Sequence, residues 1–550
     1  MKSQKPSVKK SSSPIAAPDE ARKSLRRGEH ADPHAILGAH PVDEGVVIRA
    51  FHPEAEGVTL VLEQGTEEMA PLGDGLFGQL LKEQALPVAY RLRFRFPDGA
   101  TWECEDPYRF APTLGELDLH LIGEGRHREL WKVLGARTIV VDGIAGTAFA
   151  VWAPSARRVS VVGDFCAWDG RLRPMRSLGG TGVWELFVPD LGDGVLYKFE
   201  IKTQDGALRL KADPLAKAAE TPPGTASRVA HSSYVWTDQE WMSARAERDL
   251  HREPMAVYEV HLGSFMRVPE ESNRWLRYRE LAPRLAEHVK SLGFTHVELL
   301  PIAEHPFYGS WGYQVTGYFA PTARYGSPDD FRNLVDTLHR HGIGVILDWV
   351  PAHFPRDDHA LRRFDGTALY EHEDPRRGEH PDWGTLIFNY GRSEVRNLLL
   401  ANALYWLREF HVDGLRVDAV ASMLYHDYSR SPGEWLPNVH GGRENLEAIE
   451  LFRELSEWVR AEAPGAFTVA EESTSFAGVT RAPRDGGLGF DLKWNMGWMH
   501  DTLEYFRRDP VHRRYHQDQL SFSMVYEYHE HFLNPLSHDC LLYTSPSPRD

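Results

Sequence analysis

Residues 414–418 read Gly-Leu-Arg-Val-Asp, a short apolar stretch that contains one arginine and ends on a carboxylate. Two further stretches are also largely apolar and end on an acidic residue, Val345-Ile-Leu-Asp348 and Phe467-Thr-Val-Ala-Glu471. Their apolar, β-branched composition is typical of strands buried on both faces, as in a parallel sheet. Because the carboxyl ends of parallel strands gather at one edge, the three acidic side chains are expected to meet there.

Helix-like and strand-like segments alternate around these stretches. Two apolar stripes recur at helical spacing, namely Leu281, Leu285, Val289 and Leu292, then Phe331, Leu334, Val335 and Leu338. Further strand-like runs occupy residues 257–260 and 297–300. The alternation predicts a parallel sheet, either a (β/α)8 TIM barrel or a doubly wound sheet. We favour the barrel because no glycine-rich phosphate loop follows the first strand, as a dinucleotide fold would require.

The region before the barrel contains an imperfect repeat. Residues 51–58, Phe-His-Pro-Glu-Ala-Glu-Gly-Val, match residues 152–159, Trp-Ala-Pro-Ser-Ala-Arg-Arg-Val, at the aromatic, Pro, Ala and Val positions. Short alternating stretches separated by Gly, Asp and Pro predict that each copy is a β-sandwich. The predicted organisation is multidomain: a disordered tail at 1–27, β-sandwiches at 28–125 and 126–240, an incomplete barrel at 241–539 and an aberrant tail at 540–550.

Composition limits the partners and the compartment. The formal charge of −17 disfavours nucleic acid and anionic membranes, but it does not disfavour a neutral polymer. The chain has three cysteines without a CxxC pair, no apolar signal segment and no membrane-length apolar run. We therefore expect a cytoplasmic, monomeric protein that contacts neither nucleic acid nor membrane.

Two of the strand-end acids have the surroundings that glycosidic chemistry requires. Arg416 lies two positions before Asp418, on the same face of an apolar strand, where it can keep that carboxylate ionised. Glu471 follows an apolar strand, and partial burial would raise its pKa toward that of a proton donor. A nucleophilic carboxylate and a carboxylic acid are the pair used to break a glycosidic bond with retention. Glu472 points to the opposite side and is expected to be structural.

Four segments resemble, in order, the four signature regions of the α-amylase superfamily. They are Asp348-Trp-Val-Pro-Ala-His353, Gly414-Leu-Arg-Val-Asp418, Ala470-Glu-Glu-Ser473 and Ser537-His-Asp539. Longer strings resemble the bacterial glycogen branching enzymes of that superfamily. They are Tyr258-Glu-Val-His-Leu-Gly-Ser264, Trp311-Gly-Tyr-Gln-Val-Thr-Gly-Tyr318 and Gly489-Phe-Asp-Leu-Lys-Trp-Asn-Met-Gly-Trp498. The tandem N-terminal modules resemble the carbohydrate-binding-like domains of the long form of that family.

The resemblance implies a role for each matching residue. Asp418 would be the nucleophile, Glu471 the general acid/base, and Asp539 a clamp on the sugar hydroxyls that stabilises the transition state. Four residues would support the attacked glucose or orient its neighbours, namely Asp348, His353, Arg416 and His538. Tyr313 would be a stacking platform beneath that sugar, with a place in the core as its alternative. For Trp311, the core and the site stay equally open.

The implied activity is a retaining transfer in glycogen biosynthesis. An α-1,4 linkage of glycogen or amylose would be cleaved and the segment moved to a 6-hydroxyl, giving an α-1,6 branch. Water and a sugar hydroxyl need the same two carboxylates, so the residues alone also allow an α-glucan hydrolase, either debranching or trehalose-releasing. A non-catalytic glucan-binding protein is the third hypothesis.

No cofactor or metal is expected. His529, His531 and His538 could suggest a metal cluster, but histidines on a polar loop are the simpler interpretation.

Residues 540–550 depart from the family pattern after Asp539. We interpret them as foreign sequence joined to a broken reading frame. An unclosed barrel would expose strand edges and apolar faces, so the 550-residue chain is expected to be unstable or inactive. The functional interpretation therefore concerns the parent enzyme.

Overall fold

The computed structural model describes residues 14–538, which divide into two compact units. One unit comprises the residues up to Gly115 together with Leu134–Lys211. The other comprises Glu116–Val133 together with the residues from Ala212 onward. The boundaries proposed from the sequence between the modules stay a prediction.

The first unit contains two β-sandwiches, as the repeat predicts. In the first sandwich, one sheet has the order Gly38–Val42, Gly45–Phe51, Leu76–Lys82 and Ala70–Gly73, and the other Gly65–Glu68, Gly57–Leu62, Arg91–Arg95 and Thr101–Glu105. Buried side chains from both sheets form one core, among them Val46, Ile48, Val58 and Leu60. In the second sandwich, one sheet has the order Arg176–Ser177, Val183–Pro189, Ile144–Trp152 and Gly135–Val141, and the other joins Arg158–Val162, Leu196–Lys202 and Leu208–Lys211.

The predicted disordered tail is wrong for the part of it that the structure describes. Residues Asp19–Arg26 form a helix with acidic residues in its first turn and basic residues in its last, which complements the helix dipole. Leu25 and Ala17 are buried against the first sandwich. A few apolar residues in a polar segment were enough to anchor this helix. Residues 1–13 of the predicted tail lie outside the described part.

The second unit is built on a parallel sheet of seven strands. They are β1 (Val257–Val260), β2 (His296–Leu299), β3 (Gly344–Trp349), β4 (Gly414–Val417), β5 (Phe467–Ala470), β6 (Leu492–Trp494) and β7 (Phe532–Leu533). Each strand pairs in parallel with the next one along the chain, so the strand order never reverses. A doubly wound sheet would reverse, so this order confirms the predicted barrel topology, here with seven strands in the described residues.

Helices connect these strands. They are α1 (Tyr278–Ser291), α2 (Pro328–Arg340), α3 (Ser393–Glu409), α4 (Leu446–Glu462) and α5 (Met496–Arg507). The predicted stripes of α1 and α2 are fully buried, except that α1 ends at Ser291 and Leu292 is 57% exposed. Shorter helices are Glu116–Gly123, Gln239–Glu247, Leu262–Phe265, Pro375–Gly378, Val420–Leu424, Pro510–Arg513 and Gln517–Ser521. Short strands are Ala218–Ala219, Ser227–Arg228, Arg267–Val268, Arg274–Trp275, Ala303–Glu304, Gly317–Pro321, His353–Phe354, Glu379–His380 and Thr385–Ile387.

Alternation along the strands separates the interior of the barrel from its outer face. Tyr258 packs against His288 and Phe294 on the helix side, so its neighbours Val257 and Glu259 point inward. Apolar inward residues form one cluster, including Ile346, Phe467, Val469, Leu492 and Trp494. Polar inward residues sit nearer the carboxyl ends of the strands, where the site lies.

The segment Glu116–Val133 lies between the two sandwiches in sequence but packs within the second unit. Trp131 is 1% exposed, and its ring lies 5.6 Å from that of Tyr405 on α3. Its indole N–H donates to Glu409 at 3.0 Å. The backbone N–H of His127 donates to Asn397 at 3.0 Å, so this segment is held to α3 by both apolar and polar contacts.

A buried ionic cluster lies where α2 meets the start of β4. His339 of α2 bonds Asp238 through Nδ1 at 2.8 Å and Asp413 through Nε2 at 3.0 Å. Asp413 also accepts the backbone N–H of Val345 at 2.7 Å. Over the described residues, no helix is long and apolar enough to cross a membrane.

Candidate active site

Arg416 is the centre of the polar cluster at the barrel mouth. It is fully buried, because it points inward from the middle of β4. Its Nη1 donates to Asp348 at 2.6 Å and to Asp418 at 2.8 Å, and its Nη2 lies 2.9 Å from Glu471. The guanidinium also lies 4.5 Å from the ring centre of Trp494. Three carboxylates and one aromatic face therefore stabilise a charge that would otherwise be costly to bury.

The ends of β4 and β5 fix the two predicted catalytic carboxylates relative to each other. Ala419 has a left-handed φ of 52°, which is uncommon for a residue with a β-carbon and costs free energy. In this conformation its N–H donates to Glu471 Oε2 at 2.8 Å. The side chain of Asp418 is 10% exposed and that of Glu471 is 20% exposed, so both reach solvent.

Asp348 lies beneath this pair. Tyr313 donates its hydroxyl to Asp348 Oδ2 at 2.6 Å, while Arg416 binds the other oxygen. Burial raises the pKa of Asp348 to about 6, although Arg416 and Tyr313 act in the opposite direction. Asp348 has a side-chain exposure of 1%, so its carboxylate is almost closed to solvent.

Tyr313 and His538 are neighbours. Their rings lie 5.8 Å apart at 25°, and the Tyr313 hydroxyl is 3.4 Å from His538 Nε2. The ring of Trp311 is edge-on to His538 at 5.5 Å. His538 Nδ1 bonds Glu259 at 2.9 Å.

A cavity of about 620 Å³ opens over these groups, which is within the usual range for a ligand site. Polar and catalytic candidates line one part of it, namely Tyr313, His353, Asp418 and Glu471. Apolar side chains also line it, namely Met496, Met499 and Leu503. Burial lowers the pKa of His353 to about 4, so this imidazole is neutral at physiological pH.

The structure thus brings together seven of the eight residues predicted for the site. They are Tyr313, Asp348, His353, Arg416, Asp418, Glu471 and His538. The eighth, Asp539, and the predicted aberrant tail lie outside the described residues. Glu472 is turned away from the cavity and pairs with Lys493 at 2.6 Å, as expected for a structural acid.

The histidines considered as metal ligands do not converge. His538 bonds Glu259, whereas the ring of His531 lies 4.1 Å from that of His251. Within residues 14–538, no group of three or more His, Cys, Asp or Glu side chains is arranged to hold a metal ion.

Sequence reasoning missed several side chains at or next to the site, among them Glu259, Glu298 and Trp383. Glu259 and Glu298 lie opposite each other in the register of β1 and β2 and both point into the barrel. Period-two alternation from Tyr258 would have identified Glu259 as an inward acid. The register that pairs Glu298 with it is known only from the structure. Trp383 lines the cavity with 38% of its surface exposed, and no local pattern marks it.

Comparisons with known proteins agree along the chain. The N-terminal domain of alpha-1,4-glucan branching enzyme GlgB matches residues 19–108, carbohydrate-binding module 48 matches residues 133–216, and the alpha amylase catalytic domain matches residues 284–374. The chain is 60% identical to 1,4-alpha-glucan branching enzyme GlgB of Thermobifida fusca over 94% of its own length and 68% of that protein. The chain belongs to the GlgB family of 1,4-alpha-glucan branching enzymes.

Other relatives support the same family. The chain is 58% identical to GlgB 1 of Streptomyces coelicolor, over 95% of this chain and 67% of that protein. It is 59% identical to GlgB of Paramagnetospirillum magneticum, over 94% of this chain and 70% of that protein. A crystal structure of a Salmonella typhimurium protein assigned as an alpha amylase matches with a TM-score of 0.53 at 24% identity, over 71% of this chain and 59% of that one. That likeness supports the fold alone.

Proposed function

We propose that the parent enzyme of this chain cleaves α-1,4 linkages in a glucan and joins the released segment to a 6-hydroxyl, forming an α-1,6 branch. Membership of the branching enzyme family supports this activity. The observation that carries the chemistry is the meeting of Asp418 and Glu471 at one guanidinium, 2.8 and 2.9 Å from its two terminal nitrogens. A retaining pair needs two carboxyl groups about 5–5.5 Å apart, and a shared guanidinium favours such a spacing.

Asp418 is the proposed nucleophile. Its carboxylate attacks the anomeric carbon, and the bond from that carbon to the departing glucan oxygen breaks. Nη1 of Arg416 binds Oδ1 of Asp418, which favours the ionised form and leaves Oδ2 for the attack. The product of this step is a β-linked glycosyl-enzyme.

Glu471 is the proposed general acid and base. It gives its proton to the departing oxygen and later removes a proton from the 6-hydroxyl of the acceptor. That hydroxyl attacks the anomeric carbon, the bond to Asp418 breaks, and two inversions give net retention. The N–H of Ala419 fixes Oε2 of Glu471, so Oε1 is the oxygen available for proton transfer.

The remaining predicted residues would bind the glucose that is attacked. Tyr313 offers a ring at the cavity wall while its hydroxyl is held by Asp348. His353 lines the cavity and, as a neutral imidazole, can donate and accept at sugar hydroxyls. We assign His538 and Asp539 to the same subsite from the family resemblance, with Arg416 and Asp348 as orienting groups.

We further propose that glycogen and amylose are the substrates, and that the protein acts as a monomer in the cytoplasm without cofactor or metal. The apolar cavity wall suits the C–H faces of sugar rings.

Incubation of the parent enzyme with amylose tests the activity. Branching shortens the linear segments and lowers iodine absorbance without new reducing ends. A hydrolase of the same superfamily would release reducing ends in step with the loss of iodine staining. A protein that only binds glucan would change neither quantity, and either of these results would contradict the proposal.

A further inference from the structure

We infer that Glu259 is a positioning residue for the proposed transfer, because it fixes the main chain at His538 and the ring orientation of its imidazole. The inference rests on the proposed function of the site.

Glu259 reaches this position through the alternation of β1. Tyr258 faces the helices, where its ring lies 5.3 Å from that of His288, so the next residue points into the barrel. The parallel register places Glu259 level with Glu298 of β2. Its side chain is 20% exposed.

The carboxylate of Glu259 makes three bonds to two consecutive residues. Oε2 accepts the backbone N–H of His538 at 2.7 Å, which fixes the main chain. Oε1 accepts the hydroxyl of Ser537 at 2.8 Å and bonds Nδ1 of His538 at 2.9 Å. A carboxylate only accepts, so Nδ1 carries the proton, and Nε2 is the nitrogen directed toward Tyr313.

These bonds connect Glu259 to the reacting carboxylates. His538 Nε2 lies 3.4 Å from the Tyr313 hydroxyl, which donates to Asp348 at 2.6 Å. Asp348 is bound by Arg416, which holds Asp418 and Glu471. Glu259 is therefore one end of a continuous polar path that crosses the barrel from β1 to β5. Outer partners of this kind set the tautomer and orientation of the residues that touch substrate.

The charges around His538 make Glu259 its main ionised partner. Burial alone would raise the pKa of Glu259, but the bonds and charge of His538 outweigh burial and hold that pKa below its usual range. Burial raises the pKa of Glu298 to about 8, so this neighbour is neutral at pH 7. The other groups whose charge acts with His538 are Glu298, Asp348, which Arg416 binds, and His261.

Histidine NMR on the 550-residue chain tests the inference without any turnover. In Glu259→Gln, the pKa of His538 is expected to fall by about one pH unit, because an adjacent negative charge is lost. Glu298→Gln is the matched comparison: the residue lies at the same level of the barrel, but the bonds to His538 come from Glu259, so this change should shift the His538 titration less than Glu259→Gln does. The His538 signal is identified by its absence in His538→Gln. An unchanged His538 titration in Glu259→Gln would overturn the inference.

Branching kinetics separate positioning from a purely structural role. Glu259→Gln should lower kcat on amylose about tenfold or more, with KM within about twofold and Tm close to that of the unaltered chain. In a His538→Gln background the same change should have no further effect on kcat. Additive losses in this double-mutant cycle would count against the inference. A parent enzyme without branching activity would contradict the proposed function, whereas the NMR titration would still decide the role of Glu259.

Glu259→Asp provides a second variant that retains the charge. A carboxylate on a shorter side chain should keep the His538 pKa near its original value and still lower kcat, because the bonds to His538 lengthen. A pKa shift as large as that of Glu259→Gln would argue against the electrostatic part of the inference.

Discussion

At the scale of single residues, the site depends on one buried cation shared by three acids. The sequence predicted the contact between Arg416 and Asp418, because residues two apart on a strand share a face. It also predicted that Asp348 and Glu471 would meet them at the strand ends. It could not predict the left-handed φ of Ala419, because alanine has no sequence signal for that conformation.

Replacing the proposed nucleophile tests the chemistry directly. Asp418→Asn should lower kcat by at least about 10³-fold, because an amide does not form the glycosyl-enzyme. The amide oxygen can still accept from Arg416, so glucan binding and Tm should change little. Iodine staining measures turnover, and retardation in amylopectin gels measures binding. Asp358→Asn, at an exposed acid, is the control, and undiminished turnover in Asp418→Asn would show that the nucleophile lies elsewhere.

Removing the shared cation should destabilise the barrel. In Arg416→Met, Asp348 and Asp418 lose their buried partner, and we expect the free energy of unfolding at pH 8 to fall by about 3–5 kcal/mol. The pKa of Asp348 is about 6, so at pH 5 this acid is largely protonated and the loss should be smaller. Urea denaturation at both pH values measures the effect. Arg362→Met, in an exposed pair, should cost less than about 1 kcal/mol; equal losses for the two variants would refute the expectation.

At the scale of elements, local sequence patterns predicted the strands and helices, but they did not predict the buried ion pairs between these elements. β1 matches its predicted run of residues 257–260, and the predicted bounds of β2 and β3 differ by only one residue at each end. The cluster of Asp238, His339 and Asp413 joins three distant segments. Because each partner lies more than 70 positions from another in the chain, no local pattern indicates it.

This cluster should give stability a defined dependence on pH. Burial alone would lower the pKa of His339, but Asp413 and Asp238 outweigh burial and raise it above 6.5. The folded state therefore keeps its proton at pH values where the unfolded state has lost it, and the free energy of unfolding falls as pH rises through the raised value. Despite burial, the pKa of Asp238 is lowered by His339 and His411, and that of Asp413 is lowered chiefly by His339 and then by Arg245. The contribution of these two acids is therefore lost only as pH falls below 3.8.

His339→Gln isolates the histidine contribution. Its free energy of unfolding should be lower than that of the unaltered chain below pH 6.5, and the difference should shrink at higher pH. Denaturant titrations across this range measure both curves. His120→Gln, at an exposed histidine of the same unit, should give a curve of unfolding free energy against pH that is parallel to that of the unaltered chain. A parallel curve for His339→Gln would contradict the assignment of this pH dependence to His339.

At the scale of the whole molecule, the chain does not divide into units in sequence order. The repeat correctly predicted two sandwiches, because each copy has its own strands of alternating apolar and polar residues and its own turn residues. The assignment of Glu116–Val133 to the second unit depends on packing of Trp131 against Tyr405, more than 270 residues away. Sequence periodicity reports a buried face, but not which element covers it.

The packing of Trp131 should therefore contribute to the stability of the second unit. Trp131→Ala is expected to lower its free energy of unfolding by about 3–5 kcal/mol, since a buried indole and its bond to Glu409 are lost. The rate of hydrogen exchange of the α3 amides in denaturant measures the free energy of unfolding of this unit. Trp168→Ala removes a half-exposed indole from the first unit and should leave that exchange unchanged. Similar exchange of α3 in Trp131→Ala and in the unaltered chain would disprove the contribution.

The bond from the Ala419 amide to Glu471 has a practical consequence for trapping experiments. A substitution of Glu471 made to trap the glycosyl intermediate also removes or replaces the carboxylate that accepts the N–H of Ala419. That N–H belongs to the peptide bond between Asp418 and Ala419. Glutamine retains a carbonyl oxygen that can accept this N–H, whereas alanine leaves the strained peptide without it. Glu471→Gln is therefore the cleaner reagent, and rates measured with Glu471→Ala would combine lost proton transfer with a displaced nucleophile.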